Sequence, residues 1–213
     1  MAKILAEPKS SEWYTPPWIV EVCSKILALP RLRFDLDPCA GRHTTLASRG
    51  LSEGGLEGVW SGSVWINPPS PARPWWDRLM NSDVEASAFA AYNVDQIVQS
   101  VRWSVPMATF PILWIGGRVE WWTSRDGLLA RAHGMLAEGR GDANKIRDAI
   151  ALYETYPEIG SIPPDDRIPN QPQHETAIVL IADYSEIARN VAAAIASTRI
   201  PDNTKLFLSR GVL

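Results

Sequence analysis

The sequence predicts an α/β protein with a mostly parallel, Rossmann-like sheet. Three short apolar segments have the length and the flanking turn residues of buried strands, namely residues 86–92, 110–115 and 176–181. Segments with the apolar period of amphipathic helices lie between predicted strands. Alternation of strands and helices along a chain is typical of a parallel sheet covered by helices.

Length and composition agree with one globular domain. The chain has 213 residues, of which 46% are hydrophobic and 21% are charged, and this size allows a substantial core. The net charge of -3 gives no global attraction to nucleic acid, so any DNA contact must come from a local patch. We expect a single domain over residues 1–213, with residues 121–170 forming a helical insertion and loop.

The cysteines, histidines and terminal residues exclude several classes of protein. Cys23 and Cys39 lack metal-ligand spacing, and the three histidines form no cluster. The first apolar run is too short for a signal peptide, and no stretch approaches the ~18 apolar residues of a membrane span. We expect free thiols, no metal, no membrane segment and a cytosolic location. The sequence leaves the oligomeric state open.

The first predicted elements are a helix and a strand. Thr15 is a good N-cap residue, Pro16 suits the first helical position, and apolar residues recur at helical spacing until Pro30. Charged and apolar side chains then alternate over residues 31–36, which predicts a strand ending near Asp37. A central parallel strand is usually apolar throughout, so the alternation leaves the place of this strand in the sheet open.

A turn rich in small residues follows this strand. Asp37-Pro38-Cys39-Ala40-Gly41 places an acid at the strand end and small side chains in the turn, which lets a ligand approach the backbone. Residues 42–63 contain five glycines and no long apolar run. They are therefore predicted to be loop, with one short helical turn.

The segment Val64-Trp65-Ile66-Asn67-Pro68-Pro69-Ser70 predicts a short buried strand that stops at two prolines. Asn67 is then left at the carboxyl edge of the strand, where ligands bind in open α/β sheets. The Asn67 side-chain oxygen and the Pro68 carbonyl are two fixed acceptors that suit a substrate NH2 group.

Pro74 opens a helix with Trp76 on its apolar face. Arg73 and Arg78 place positive charge beside the predicted site, where a DNA phosphate would bind. An ion pair with a nearby acid such as Asp77 is the alternative, and the sequence does not separate the two.

The remaining chain predicts an insertion and the end of the sheet. Apolar spacing within residues 121–170 predicts a helical hairpin inserted between strands, for which target recognition, subunit contact and a structural role all stay open. After the strand at 176–181, Ser185 is predicted to cap a helix reaching about Thr198. Residues 205–209 predict the last strand.

Three of these motifs resemble those of the phage-type DNA N-6-adenine methyltransferase family. Tyr14-Thr15-Pro16-Pro17 and the turn that begins at Asp37 look like its cofactor motifs, and Asn67-Pro68-Pro69-Ser70 resembles its Asn/Asp-Pro-Pro-aromatic motif. The resemblance runs from about Glu12 to about Arg118 and resumes around His174 to Asp183. It implies a methyltransferase fold, S-adenosylmethionine as cofactor, DNA as partner, and a phage or prophage protein located in the host cytoplasm.

The resemblance also implies roles for individual residues. The catalytic set is Asn67, Pro68, Pro69 and Ser70, and the cofactor-binding set is Tyr14, Thr15, Pro16, Asp37, Pro38, Ala40, Gly41 and Glu53. In related enzymes an acid between the two motifs contacts the ribose or adenine of the cofactor. Glu53 is preferred slightly over Glu57 for this role, and the alternative is that both are solvated loop charges.

The implied chemistry depends on hydrogen-bond acceptors and needs no metal. An exocyclic adenine NH2 is a poor nucleophile because its lone pair is delocalised into the ring. If Asn67 Oδ1 and the Pro68 carbonyl accept its two protons, electron density concentrates on the nitrogen, which attacks the sulfonium methyl in line. A base inside duplex DNA would first be flipped out of the stack.

Ser70 departs from the family pattern, which usually has Tyr or Phe at this position. Stacking of such a ring on a flipped base is worth ~1–3 kcal/mol, so its absence costs roughly 5- to 150-fold. We predict that Trp75 or Trp76 supplies the missing ring from the next helix, and these two residues join Arg73 and Arg78 in the predicted substrate-binding set.

Three competing interpretations remain. An enzyme with the same cofactor could methylate RNA or a protein glutamine instead of DNA. A catalytically weak or silent relative would bind DNA or a partner through the retained scaffold, which Ser70 and the acidic charge balance favour. In the plainest interpretation, the Asn-Pro-Pro segment of an unrelated α/β domain is only a turn.

Overall fold

The computed structural model describes residues 13–40, 46–91, 94–116, 119, 122–123, 132–133, 136–139, 141–155, 176–202 and 204–211. The chain divides into two compact units. One consists of Met1–Thr15 with Glu120–Gln171, and the other of Pro16–Val119 with Pro172–Leu213. The predicted insertion at 121–170 thus falls within one unit. The sequence did not predict that the N-terminal residues belong to the same unit.

In chain order, the strands are β1 (Trp13–Tyr14), β2 (Phe34–Asp37), β3 (Ala47–Gly50), β4 (Ser63–Ile66), β5 (Ala86–Ala91), β6 (Ile112–Gly116), β7 (Trp122–Thr123), β8 (Thr176–Ile181) and β9 (Lys205–Ser209). The helices are α1 (Pro17–Ile26), α2 (Arg73–Met80), α3 (Val94–Gln99), α4 (Ala143–Thr155) and α5 (Tyr184–Ala196). Short 3-10 turns cover Pro30–Leu32, Ser100–Arg102 and Met107–Thr109.

The larger unit is α/β, and its seven-stranded sheet has the order β3-β2-β4-β5-β8-β6-β9. The pairs β3–β2, β2–β4 and β4–β5 are parallel, whereas β8 is antiparallel to β5 and β6, and β9 is antiparallel to β6. The sheet is therefore mixed, with one parallel half. Because β8 follows a long intervening segment and not a short helical crossover, the rule for βαβ units does not set its direction.

Six predicted strands are confirmed, namely those at β2, β4, β5, β6, β8 and β9. The prediction of a loop over residues 42–63 was wrong at β3, which pairs with β2 in parallel register. This edge strand has the sequence Ala-Ser-Arg-Gly, and only its first residue is buried. A strand exposed in this way has no apolar pattern by which the sequence could reveal it.

Strand β2 lies inside the sheet despite its charged residues. Asp35 faces outward, and its Oδ2 atom accepts hydrogen bonds of 2.8 Å from both the backbone N–H and the hydroxyl of Ser63. The Ser63 hydroxyl oxygen in turn accepts a 3.1 Å hydrogen bond from the Asp35 N–H. Ser63 on β4 thus provides hydrogen bonds to the Asp35 carboxylate. The charged residues of β2 are the reason why the sequence did not determine the place of this strand in the sheet.

Two helices start at other residues than predicted. Thr15 was predicted to cap α1, but the cap position is Pro16, which has extended dihedral angles and no side-chain capping hydrogen bond. A residue that precedes a proline avoids the helical region, so Pro16 before Pro17 cannot begin the helix. At α5 the N-cap is Asp183 and not Ser185, because the Asp183 carboxylate accepts the N–H groups of the first turn.

The core fixes α2 directly after the Asn67 turn. Trp76 is fully buried, and its ring meets those of Phe89 and Phe110 edge-on, with centroids 5.1 and 5.7 Å apart. Its indole N–H donates a 2.7 Å hydrogen bond to the carbonyl of Val105. Aromatic contacts in this geometry add to the free energy gained by burial, so α2 has one well-defined position.

Among its described residues, the smaller unit contains a two-stranded antiparallel sheet and helix α4. Strand β1 pairs with β7, with Trp13 opposite Thr123 and Tyr14 opposite Trp122. Helix α4 matches the second helix of the predicted hairpin, whereas most of the first predicted helix lies outside the described residues. Within the described part of the chain, no helix is long and apolar enough to cross a membrane.

Candidate active site

The strand order of the larger sheet reverses at β2. From β2 the chain moves to β3 on one side and then returns to β4 on the other side. Leu36 on β2 lies opposite Val64 on the parallel strand β4. Asp37 ends β2 and Asn67 follows β4, so both lie at the carboxyl edge of the sheet, at the kind of switch point where open α/β sheets bind ligands.

Asp37 is a buried carboxylate at this edge, with 4% of its surface exposed. Its Oδ1 atom accepts a 2.9 Å hydrogen bond from the Cys39 N–H. Burial raises the pKa of Asp37 to about 7, and the Cys39 N–H opposes this shift only in part. A carboxyl group perturbed in this way at the carboxyl edge of a sheet is a functional-site candidate, although an Asp that closes its own turn is also a common structural feature.

Cys39 follows in the same turn and is half-buried. Burial, with a smaller contribution from the Asp37 charge, raises the pKa of the Cys39 thiol well above its usual range. The thiol therefore stays protonated near neutral pH, and a thiolate nucleophile is not available there. The predicted turn thus offers backbone and carboxylate groups for binding.

Two glycines allow other segments to pack against this turn. A Cβ atom on Gly50 would lie 2.6 Å from the Ala40 Cβ. One on Gly55 would lie 1.9 Å from the Pro38 carbonyl oxygen and 2.9 Å from Cη2 of Trp75. Both distances from this Cβ position are too short for a real side chain. The loop between β3 and β4 therefore contacts the turn closely only because residue 55 is glycine. Gly41 lies outside the described residues.

The Asn67 turn is partly buried. Asn67 is half-buried with its Oδ1 atom inside, Pro68 is buried, and Pro69 and Ser70 are exposed. The two predicted acceptors therefore belong to the inner part of the turn. Asn67 Oδ1 itself has almost no accessible surface.

The structure separates the two tryptophans of the predicted substrate-binding set. Trp76 is a core residue with no exposed surface, so its prediction as a stacking ring is not supported. Trp75 is half-buried, and its ring lies nearly parallel to that of Trp60, with centroids 6.4 Å apart and an interplanar angle of 20°. Of the two, only Trp75 has exposed surface.

The two predicted phosphate-binding arginines also differ. Arg73 makes the ion pair that the sequence allowed as an alternative, with its Nε atom 3.4 Å from Asp77 Oδ2. Arg78 donates a 2.8 Å hydrogen bond to the Gly58 carbonyl, and its guanidinium carbon lies 5.8 Å from the centre of the Trp60 ring. Arg78 thus contacts the loop before β4 in this structure.

The other predicted cofactor residues are divided between the two units. Tyr14 and Thr15 belong to the smaller unit, where Tyr14 ends β1 and Thr15 is buried. Pro16 belongs to the larger unit and precedes α1. Glu53 is exposed, as is Glu57, so exposure does not distinguish between these two candidate acids.

The sequence did not identify Gly55 and Trp60 as site residues. The Trp60 indole N–H donates a 2.8 Å hydrogen bond to the Gly55 carbonyl, which joins the two ends of the loop beside the Asp37 turn. The five glycines of the segment were a signal for close packing, but they did not reveal its partner. Among the residues that the structure describes, no group of three or more His, Cys, Asp or Glu side chains is placed to hold a metal ion.

Comparisons with known proteins add no relative. No protein-family model, curated protein or solved structure matches this chain. The function is therefore inferred from the site itself.

Proposed function

We propose that this protein is an S-adenosylmethionine-dependent methyltransferase that methylates the N6 amino group of adenine in DNA. One observation carries the proposal. The Asp37 turn and the Asn67 turn, which resemble the two halves of such a site, follow neighbouring parallel strands at the point where the strand order reverses. Ligand sites in open α/β sheets occur at this position.

The Asp37 turn suits a cationic cofactor. Bringing a positive charge close to a buried carboxylate stabilises its ionised form and lowers its pKa. Asp37 is buried with a raised pKa of about 7, so a cationic ligand such as S-adenosylmethionine compensates for the cost of burying this charge. When bound, the cofactor supplies an activated methyl group.

The Asn67 turn suits the amino group that accepts the methyl. Asn67 offers a side-chain oxygen and Pro68 a carbonyl, and the two adjacent prolines restrict the backbone that holds them. Two acceptors in fixed positions draw the protons of an NH2 group away from the ring plane and raise electron density on its nitrogen. A base in duplex DNA reaches this turn only when it is flipped out.

A second candidate is a weakly active or silent relative that binds DNA or a protein partner. The position after the two prolines is Ser70, which is exposed and carries no ring. The Asn67 acceptor is also buried. An inactive relative would retain the strand order and the Asp37 turn but would not transfer a methyl group.

Two measurements test the proposal. Calorimetric titration of S-adenosylmethionine is expected to show binding that Asp37→Asn weakens and that Asp35→Asn, on the same strand, leaves unchanged. Mass spectrometry of DNA incubated with protein and cofactor is expected to show N6-methyladenine, and Asn67→Ala is expected to abolish it. Parallel reactions with RNA and with glutamine-containing peptides test the other acceptors.

The outcomes separate the candidates. Cofactor binding without methylation of any acceptor supports the silent relative. Absence of cofactor binding in the wild type refutes the methyltransferase proposal as a whole.

A further inference from the structure

Three side chains beside the Asp37 turn lie against one another, with the Trp60 ring in contact with both of the others. The Arg78 guanidinium carbon lies 5.8 Å from the centre of the Trp60 ring. The Trp60 ring is in turn stacked on Trp75, at 6.4 Å between centroids and 20° between planes. Aromatic pairs in stacked or offset arrangements and cations over an indole ring are both attractive contacts. We call Arg78, Trp60 and Trp75 the layered stack.

Hydrogen bonds to the loop before β4 hold the side chains of Trp60 and Arg78. The Trp60 indole N–H donates to the Gly55 carbonyl at 2.8 Å, and Arg78 donates to the Gly58 carbonyl at 2.8 Å. Trp60 is 4% exposed, whereas Trp75 is half-buried. Trp60 is therefore the buried member of the layered stack, and Trp75 and Arg78 are its half-buried members.

Helix α2 fixes Trp75 from the other side. The next residue, Trp76, is fully buried between Phe89 and Phe110. The packing of Trp76 thus holds α2 in place. Trp75 is part of this helix, and its own ring lies against Trp60. A ring that is already immobile loses little conformational freedom when a ligand stacks on it.

The outer ring lies beside the predicted cofactor turn. Both the Pro38 carbonyl oxygen and Cη2 of Trp75 lie within 3 Å of the point where a Cβ atom on Gly55 would be, at 1.9 and 2.9 Å. Trp75 is therefore adjacent to the turn that follows Asp37. It also lies on the helix that follows the Asn67 turn.

We propose that Trp75 is a stacking platform for a purine ring, with Trp60 and Arg78 as its rigid support. The inference deepens the proposed function, because both S-adenosylmethionine and the target nucleotide carry an adenine ring. It also assigns Arg78 a supporting role in place of the predicted contact with a phosphate. Base–aromatic stacking corresponds to roughly 5- to 150-fold in affinity.

The test is a binding comparison of wild type, Trp75→Leu and Trp75→Phe. The probes are adenosine, S-adenosylmethionine, and two single-stranded oligonucleotides that differ only in one adenine or an abasic site at the same position. If the cofactor ring stacks on Trp75, Trp75→Leu weakens adenosine and S-adenosylmethionine by roughly 5- to 150-fold. If the target base stacks there, the same change instead removes the preference for the adenine oligonucleotide. Trp75→Phe restores part of the lost affinity in either case.

Trp114→Leu is the matched control. Trp114 is also half-buried and stacked, on Phe207, with centroids 6.1 Å apart and an interplanar angle of 17°, but it lies on β6 and outside the layered stack. Thermal unfolding and circular dichroism establish that each variant is folded. The control variant is expected to bind every probe like the wild type.

The stacking proposal fails if Trp75→Leu binds all probes as the wild type does, or if the wild type binds neither adenosine nor the adenine oligonucleotide in preference to the abasic one. Purine binding that depends on Trp75, without any methyl transfer, would instead refute the proposed reaction and leave the platform intact.

Discussion

Gly55 approaches the Pro38 carbonyl so closely that a Cβ atom on residue 55 would lie 1.9 Å from the Pro38 oxygen. This contact joins the loop before β4 to the turn after β2. The loop carries Trp60, whose indole N–H bonds to the Gly55 carbonyl. The shape of the proposed cofactor site therefore depends on a residue without a side chain.

Gly55→Ala is expected to weaken S-adenosylmethionine binding at least tenfold and to lower the melting temperature, because the atom in its way is backbone. Overpacking of this kind typically costs about 1–3 kcal/mol. Calorimetry and thermal unfolding measure the two effects. Gly116→Ala is the control, since its nearest neighbour would lie at an ordinary 3.6 Å. Equal cofactor affinity in the two variants would contradict the role of the Gly55 contact.

Asp37→Asn is expected to stabilise the cofactor-free protein above about pH 7. Folding raises the pKa of Asp37 to about 7, so the native state keeps a proton that the unfolded state releases. The stability from this group falls as the pH rises from about 4 to about 7 and is constant above that. Asp37→Asn removes this loss, which is up to roughly 4 kcal/mol. Thermal unfolding of both proteins across this pH range tests the sign.

Cofactor affinity is expected to depend on the same proton. If S-adenosylmethionine binds beside the ionised form of Asp37, its affinity rises as the pH increases through about 7. Asp37→Asn is expected to show weaker binding with a flat pH profile. Calorimetry in buffers of different ionisation enthalpy also counts the protons released. A wild-type affinity that does not change with pH would argue against contact between Asp37 and the cofactor.

Asp35→Asn is expected to have the opposite pH signature. The Ser63 N–H and hydroxyl lower the pKa of Asp35, so its contribution to stability is present above about pH 4 and is lost as the pH falls through the lowered pKa. The exposed position reduces the effect to about 1 kcal/mol. Urea unfolding at neutral and acidic pH measures it. The affinity of Asp35→Asn for S-adenosylmethionine is expected to equal that of the wild type. A change would mean that weaker binding by Asp37→Asn is not specific to Asp37.

Trp76→Leu is expected to cost stability without a specific binding defect. Its ring contacts Phe89 and Phe110, and its N–H bonds to Val105, so a loss of about 3 kcal/mol follows from the cavity and the unpaired carbonyl. Chemical unfolding measures this loss. In the folded fraction the affinity for purine probes should match the wild type. A binding loss as large as that of Trp75→Leu would show that the core, and not the Trp75 ring, controls stacking.

Ser70→Tyr is expected to raise the rate of adenine methylation by roughly 5- to 150-fold, because an exposed position after the two prolines gains a ring for the flipped base. The KM for S-adenosylmethionine should not change. Single-turnover assays on DNA measure the effect, with Ser82→Tyr as the control at a serine beyond the end of α2. An unchanged rate would indicate that Ser70 does not face the target base.

The strands and the two motif turns were predictable because their signals are local. Apolar runs revealed β5 and β8, and prolines marked the end of β4 at Asn67. The edge strand β3 has no such pattern, and the direction of β8 depends on pairing with β5 and β6. These features arise from contacts between distant segments, which periodicity within one segment does not contain.

The same limit applies to the site. Asp37 and Asn67 were identified from their place after predicted strands, and the structure places both at one sheet edge. The support from Trp60 was not identified, because it requires a loop to fold back on a turn and a helix to present Trp75. Burial of Trp76 agrees with its place on the apolar face of the predicted helix, and its alternative prediction as a stacking ring did not take that face into account.

The strand order also affects how the chain folds during synthesis. Strands β2 to β5 leave the ribosome early, but the edge of β5 stays unpaired until β8 has been made, because β8 lies between β5 and β6. Unpaired strand edges on incomplete chains are prone to association with other chains. A slow or interrupted translation between residues 117 and 175 therefore exposes this nascent chain to aggregation, and chaperone dependence should be greatest in that interval.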